Sequence, residues 1–337
     1  MQWVIREAPE GWQDLVPEGM PGILGRLLAQ RGVHHDEVER FLRPRLAELT
    51  DPFEIPEINL AVERILHAVD KDERVCVYGD YDVDGVSSIA VLCKTLQAYG
   101  LKPASFIPRR SSEGYGLSEG GLERCLNECG KPDLMISVDC GTVSNEAIAM
   151  LKSKGVDTVV VDHHEIGPDG RPDCVALVNP KASKHSHEYL CAAGVVFKLA
   201  HALLKRRPLD KFDLKSVLDL VAVATISDIV PLVDENRLIV RHGLRRLENS
   251  VRPGLRALLK LTGAEGRLSS SDIGFRIGPR LNAAGRMDQP EQALAILMTD
   301  CSNKALELAD ELENFNRNRQ QLEQAIFAEA MAMLKDG

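Results

Sequence analysis

Short apolar runs that close on an acidic residue recur along this chain, and a stretch with helical apolar spacing follows each one. Arg74 to Tyr78 (RVCVY) reads as a buried strand, and Val86 to Tyr99 beyond it carries its apolar residues at helical intervals. DLMISVDCG at 133–141 repeats the arrangement, with Asp139 at the strand end and a helix expected from Ser144 to Ser153. DTVVVDHHEIG at 157–167 repeats it again. Successive β-then-α units predict an α/β fold built on a parallel sheet. Ligands of such sheets gather beyond the carboxyl ends of the strands, so Asp82, Asp84, Asp139, Asp162, His163 and His164 are expected to converge there.

Around this unit the pattern predicts a helical lead-in over residues 1–50, the α/β domain over 51–231 and a helical continuation over 232–300. Residues 301–337 are expected to form a connecting helix. From Ser302 to Lys335 the chain has neither Gly nor Pro and is rich in Ala, Leu, Glu and Gln, which gives one helix about 50 Å long. No other internal repeat or low-complexity tract is present.

The densest chemistry lies in GDYDVDG at 79–85. Read as an extended segment, with side chains alternating at period two, it puts Asp80, Asp82 and Asp84 on one face, where hard divalent cations can be gripped. Gly85 is then expected to let the backbone turn into the next helix. Three like charges so close repel unless cations or water neutralise them. A solvated acidic turn would look the same locally, and the strand before it and the helix after it are what favour a metal site. Two histidines beside Asp162 at another strand end strengthen that reading, since imidazole and carboxylate together are metal ligands. Asp228, in ATISDIVPL at 224–232, is a fourth acidic site inside an apolar helical run; a helix cap, with Pro231 following, is the alternative, and the surrounding motifs favour the acidic site over it.

Composition narrows the picture. With 337 residues, 44% of them hydrophobic, the chain can bury a substantial core. Eight cysteines occur without a CxxC pair and are read as reduced, small packing residues, which points to a cytoplasmic protein. The opening MQWVIREAPEGW does not have the form of a signal peptide, and no apolar stretch reaches the length of a membrane span, so no membrane partner is expected. A formal net charge of −9 is unusual for a protein that would grip a polyanion. Its distribution matters more: Arg241, His242, Arg245, Arg246, Arg252, Arg256 and Lys260 form a basic stretch that reads equally as a solvated helix face, and Arg276, Arg280 and Arg286 follow. Arg280, Asn282 and Arg286 lie among Gly and Ala residues that permit close approach to a ligand. Arg109, in PRR, is the leading phosphate fork. Gly114 to Gly116 reads either as a set of backbone donors or as a flexible turn.

GDYDVDG, SVDCG, VVDHH and ISDIVPL, in this order, resemble the acidic motifs of the DHH phosphoesterase superfamily. With PRRSSEGYGL (108–117), AAGVVFKLAHAL (192–203) and GPRLNAAGRMD (278–288), the chain from about residue 15 onward is similar to the RecJ family of single-stranded-DNA exonucleases. The resemblance implies two-cation hydrolysis of phosphodiester bonds, by Mn²⁺ or Mg²⁺, with cleavage of single-stranded DNA from its 5′ end in DNA repair and recombination, alongside repair or replication proteins. It assigns Asp80 and Asp82 chiefly to one cation and Asp84 and His163 to the other, with Asp139 and Asp228 shared. Asp162 is expected to orient His163 or complete the surroundings of the ligands, and His164 to donate to the phosphate. The resemblance also carries Arg280, Asn282 and Arg286 over as nucleic-acid contacts. In that family the long helix leads to a DHH-associated domain and an OB fold, whose segments do not occur in these residues; slow, distributive hydrolysis is therefore the expectation. Two other readings stay open: a DHH hydrolase of short oligonucleotides, cyclic dinucleotides or pyrophosphate, and a non-enzymatic replication scaffold. The intact carboxylates weigh against the scaffold.

Overall fold

The fold is a computed structural model that describes residues 4, 7–183, 187–264 and 266–336. The chain divides into two compact units, Met1–Leu49 and Thr50–Gly337. In the first, helices Gly22–Ala29 and Val38–Leu42 close over Leu28, Val33 and Val38, with Leu15, Leu24, Phe41 and Leu42 packed around them.

The second unit is built on five parallel strands, β1 Val75–Gly79, β2 Ala104–Phe106, β3 Leu134–Val138, β4 Asp157–Val161 and β5 Ala176–Val178, in the order β2-β1-β3-β4-β5. β1 pairs with β3 from Val75↔Leu134 to Gly79↔Val138, and β3 with β4 from Leu134↔Asp157 to Val138↔Val161. β1 and β3 run buried throughout, which is why they read as unbroken apolar runs rather than as alternating ones. The strand order reverses between β1 and β3, and a crevice opens beyond their carboxyl ends.

Both faces are covered. On one lie α1 (Ile58–Lys71), α2 (Val83–Ala98) and α5 (Ala192–Arg206). On the other, α3 (Glu119–Cys129) and α4 (Asn145–Ser153) bury Leu122, Cys125, Ile148 and Leu151 against Cys76, Tyr78, Met135 and Val160. α2 is apolar on nearly every side because it lies between β1 and a further helical layer, α6 (Leu218–Ser227) and α7 (Asp234–Glu248). A fully buried ion pair, Lys198 Nζ to Glu235 at 3.0 Å, ties α5 to α7, with Thr50 O also accepting from the ammonium at 3.0 Å.

Residues beyond 250 form α8 (Pro253–Thr262), α9 (Gly278–Arg286), α10 (Pro290–Met298) and the 35-residue α11 (Ser302–Asp336), against which the three preceding helices pack. At 1.5 Å per residue α11 is about 52 Å long. A π-helical turn, Ile273–Ile277, leads into α9.

The local geometry of GDYDVDG differs from the extended reading. α2 begins at Val83, so Asp82 is its N-cap and Asp84 sits in its first turn. Asp82 Oδ1 accepts from the Asp84 and Gly85 amides at 2.8 and 3.0 Å, the interaction that makes an aspartate a helix start. Gly85 is not a turn residue. It lies inside the helix, where glycine is required because a Cβ would stand 2.3 Å from the Asp80 carbonyl oxygen.

Candidate metal centre

Each acidic side chain of the site reaches it from a different element. Asp80 follows β1, Asp82 and Asp84 open α2, Asp139 follows β3, His163 and His164 follow β4, and Asp228 caps the carboxyl end of α6. The structure thus brings together all seven of the sequence-predicted cluster residues. Ligand atoms of Asp80, Asp82 and Asp139 lie within 4.8 Å of one another, as do those of Asp84, His163 and Asp228, and those of Asp139, His163 and His164. His163 Nε2 is the hub, 3.4 Å from Asp139 Oδ1, 3.7 Å from Asp84 Oδ2 and 3.8 Å from Asp228 Oδ2.

Burial makes this arrangement costly unless cations are present. Asp80 is fully buried and neither of its oxygens meets a donor at hydrogen-bonding geometry among the described residues. Burial, then the charge of Asp82, pushes its carboxyl up to about 7, with the Tyr81 and Gly116 amides offsetting part of the rise. Asp84 also rises to about 7, mainly by burial, with His163 opposing and Asp228 adding to the shift. Asp139 is held well above the carboxylate range by burial and by Asp84, Asp82 and Asp80. Asp228 rises to about 6 by burial and the charge of Asp82. Buried like charges are retained when a cation neutralises them, and oxygen ligands with one or two imidazoles suit hard and borderline divalent ions such as Mn²⁺ and Mg²⁺. The orphaned oxygens of Asp80 fit that donor set.

Fixed backbone donors aim the ligands. Asp84 accepts from the Ala192 and Ala193 amides at 2.7 and 2.9 Å, so the amino end of α5 both orients the carboxylate and supports its charge. Asp139 has φ 59°, a left-handed conformation that aspartate tolerates better than most residues, and its N–H donates to Val161 O at 3.1 Å. After Asp228, the exposed Ile229 has φ 60°, strain of about 1–3 kcal/mol for a β-branched residue.

Asp162 orients His164 rather than His163. Its Oδ1 lies 2.7 Å from His164 Nδ1 and accepts from the His163 amide at 2.7 Å, and its Oδ2 accepts from Thr142 N at 3.0 Å. Burial opposes ionisation of Asp162, but the His164 and Thr142 donors overcome it and hold the carboxyl below its ordinary range. In return, the bond to Asp162 raises His164. Burial lowers His163, which keeps it neutral, the form that can ligate.

The basic residues separate into two kinds. Arg280 is engaged by Glu313 on α11, Nε to Oε2 at 2.6 Å, and donates to Arg276 O, while Asn282 Oδ1 accepts from Val83 N at 3.0 Å. Both therefore brace the site's walls. Arg109 and Arg286 are exposed, and Arg286 lines a groove with Asn282, Ile229 and Arg319. Within the basic stretch, Arg252 is committed to Asp219 at 2.9 Å. Arg110 lies over the Tyr81 ring, 5.7 Å from its centroid.

Sequence reasoning missed three supports. Tyr115 Oη stands 2.9 Å from His164 Nε2, and Asn179 Nδ2 donates to Thr142 Oγ1 at 2.9 Å and to His164 O at 2.8 Å. The GYGL segment was the available signal for Tyr115; nothing in the spacing marks Asn179 or Thr142.

Residues 74–225 match the model of the DHH family, N-terminal domain. The chain is 40% identical, over 341 residues, to the single-stranded-DNA-specific exonuclease RecJ of Bacillus subtilis (strain 168), covering 99% of this chain and 42% of that protein. It resembles the crystal structure of an exonuclease RecJ bound to manganese, with TM-score 0.77 and 35% identity over 86% of this chain and 72% of the other. The RecJ–Mn²⁺ complex from Thermus thermophilus gives TM-score 0.77 and 33% identity over 90% and 43%. The chain spans about half the length of the curated relatives it matches, 42% of the Bacillus protein and 58% of the Salmonella typhimurium one.

Proposed function

Because the chain belongs to the DHH family and, within it, to the RecJ group, we propose that its acidic crevice holds two divalent cations, Mn²⁺ or Mg²⁺, and hydrolyses phosphodiester bonds of single-stranded DNA in the 5′-to-3′ direction. The observation that carries this reading is Asp80, fully buried with neither oxygen meeting a donor at hydrogen-bonding geometry among the described residues, beside two clusters of ligand atoms that Asp139 and His163 connect. Bound there, the cations supply Lewis acidity toward the scissile phosphate.

The protein's own groups do the rest. The α5 amides fix Asp84, and the Asp82 cap fixes the first turn of α2, so ligand positions are set before substrate arrives. Neutral His163 would hold a cation through Nε2, the nitrogen that faces Asp84, Asp139 and Asp228, leaving its proton on Nδ1. His164, raised by Asp162, holds its Nδ1 on that carboxylate, and its Nε2, 2.9 Å from Tyr115 Oη, is the nitrogen that would donate to a phosphate oxygen once the tyrosine hydroxyl gives way. Arg109 and Arg286 are the proposed backbone-phosphate contacts. We place the protein in the cytoplasm, acting with other repair or replication proteins in DNA repair and recombination. Among the described residues, no helix is long and apolar enough to cross a membrane.

The test compares substrates with the purified chain in Mn²⁺. Mononucleotide release from single-stranded DNA, with little from duplex, supports the proposal. Preference for dinucleotides or pyrophosphate moves the assignment to another DHH hydrolase, and no turnover of any of them leaves a scaffold.

A further inference from the structure

Away from the acidic crevice, three cysteines gather between the sheet and one of its covering helices. Cys76 is the second residue of β1 and points to the face covered by α3, while Cys125 and Cys129 lie one turn apart on α3, which puts both on the same side of that helix. Their sulfurs all lie within 4.8 Å of one another, and Cys76 Sγ is 3.7 Å from Cys125 Sγ. Cys76 and Cys125 are buried, whereas Cys129 reaches the surface. Among the described residues no other three cysteines meet in this way.

We propose that Cys76, Cys125 and Cys129 form a site for a thiophilic cation of the zinc(II) class, separate from the carboxylate site and selective against the hard ions that site takes. Four sulfurs at the ~2.3 Å of a zinc–thiolate bond stand ~3.8 Å apart in a tetrahedron, and the Cys76–Cys125 spacing already has that edge. The exposed side of Cys129 provides the entry path and leaves room for a fourth ligand from solvent. The Cys129 thiol is lowered to about 7, first by its hydrogen bond with Cys76 and then by that with Cys125, so the accessible member of the trio is the one readiest to ionise. Its hydrogen bonds with Cys125 and Cys129, and then burial, hold Cys76 protonated in the absence of a cation, and binding therefore releases protons to the buffer. Softness keeps the two sites apart: thiolates select zinc-class ions, and carboxylates select magnesium and manganese. Asp80 lies four residues beyond Cys76, about 13 Å along the strand direction. A cation here would pin α3 to the strand that carries the acidic loop without touching the reaction.

The experiment is a cobalt(II) titration of the reduced, reductant-free protein, with Mg²⁺ in excess to fill the carboxylate site. The expected result is one equivalent of Co²⁺ giving thiolate-to-cobalt charge-transfer absorption in the near ultraviolet, abolished by added Zn²⁺. Cys129→Ser, a surface change that leaves the core intact, loses this absorption, while Cys174→Ser and Cys301→Ser keep it. Absence of the band in the reduced wild-type chain overturns the proposal, as does its persistence in Cys129→Ser. A disulfide within the trio, found by mass spectrometry in reductant-free protein that takes up no cobalt after reduction, overturns it in favour of a redox pair.

Discussion

Gly85→Ala tests how the acidic loop is held. A Cβ on this residue would lie 2.3 Å from the Asp80 carbonyl oxygen, 2.6 Å from its carbonyl carbon and 2.8 Å from its Cα. All three are backbone atoms, so no rotamer change relieves the overlap. Restoring ordinary contact, which begins near 3.4 Å, requires the loop and the first turn of α2 to part by about 1 Å. Overpacking of this kind costs about 1–3 kcal/mol, or roughly 2–5 °C in Tm for a unit of this size. The larger effect falls on the ligands, because metal bonds hold to within about 0.2 Å and Asp80, Asp82 and Asp84 all hang on the segment that moves. Mn²⁺ affinity should fall about 100-fold, and hydrolysis of single-stranded DNA by at least as much. Calorimetric Mn²⁺ titration, a thermal melt and a nuclease assay on the same preparation measure the three quantities. Gly120→Ala is the control, since a Cβ there meets nothing within 4 Å. A Gly85→Ala protein that binds Mn²⁺ as tightly as wild type would refute the claim that this contact sets the ligand positions.

Three further outcomes follow from the same geometry. Asp139→Asn replaces a carboxyl held protonated by burial with a neutral group of the same shape, so the metal-free melt at pH 7 should stay within about 2 °C of wild type, while the Mn²⁺-induced gain in Tm disappears and activity falls about 10³-fold; a retained Mn²⁺ gain would remove Asp139 from the ligand set. Mn²⁺ affinity should climb as pH rises from 5 through 7 and go on rising above it, because Asp228, raised to about 6, Asp80 and Asp84, raised to about 7, and Asp139, held well above the carboxylate range, must lose protons to bind. Over the same window the metal-free protein should lose stability, since its folded carboxyls hold protons that the unfolded ones release near pH 4, and these outweigh the opposite effect of buried neutral His163; thermal melts across pH, with calorimetry in two buffers of different ionisation enthalpy, check both signs. Asn282→Ala leaves the Val83 amide without its 3.0 Å acceptor and should cost about 1–2 kcal/mol with weaker Mn²⁺ binding, whereas Arg280→Ala, which breaks the Glu313 brace and the bond to Arg276 O, should leave Mn²⁺ binding unchanged by titration.

The three central strands and the position of the site were legible because buried parallel strands write themselves as short apolar runs, and the acidic residues at 80, 139 and 162 mark where those runs end; the edge strands β2 and β5, three residues each, are too short to leave such a run. The start of α2 was not legible. Alternating aspartates imitate a strand, and only the structure shows that Asp82 is satisfied by the helix amides it caps. Roles that depend on partners far along the chain were hidden for a related reason. Asp84 is fixed by amides 108 residues away, Asn282 turns back to Val83 across 199, and Cys76 meets Cys125 across 49, so no local pattern records these contacts. Asp162 shows the limit at shortest range: adjacency to both histidines leaves open which ring it holds, and the loop's turn selects His164.

Anomalous diffraction from crystals of this chain grown with Mn²⁺ tests the central claim most directly. The account predicts two manganese peaks in the crevice, one bonded by Asp80, Asp82 and Asp139 and the other by Asp84, His163 and Asp228. A single peak, or manganese bound elsewhere while these carboxylates stay protonated and unligated, would contradict it.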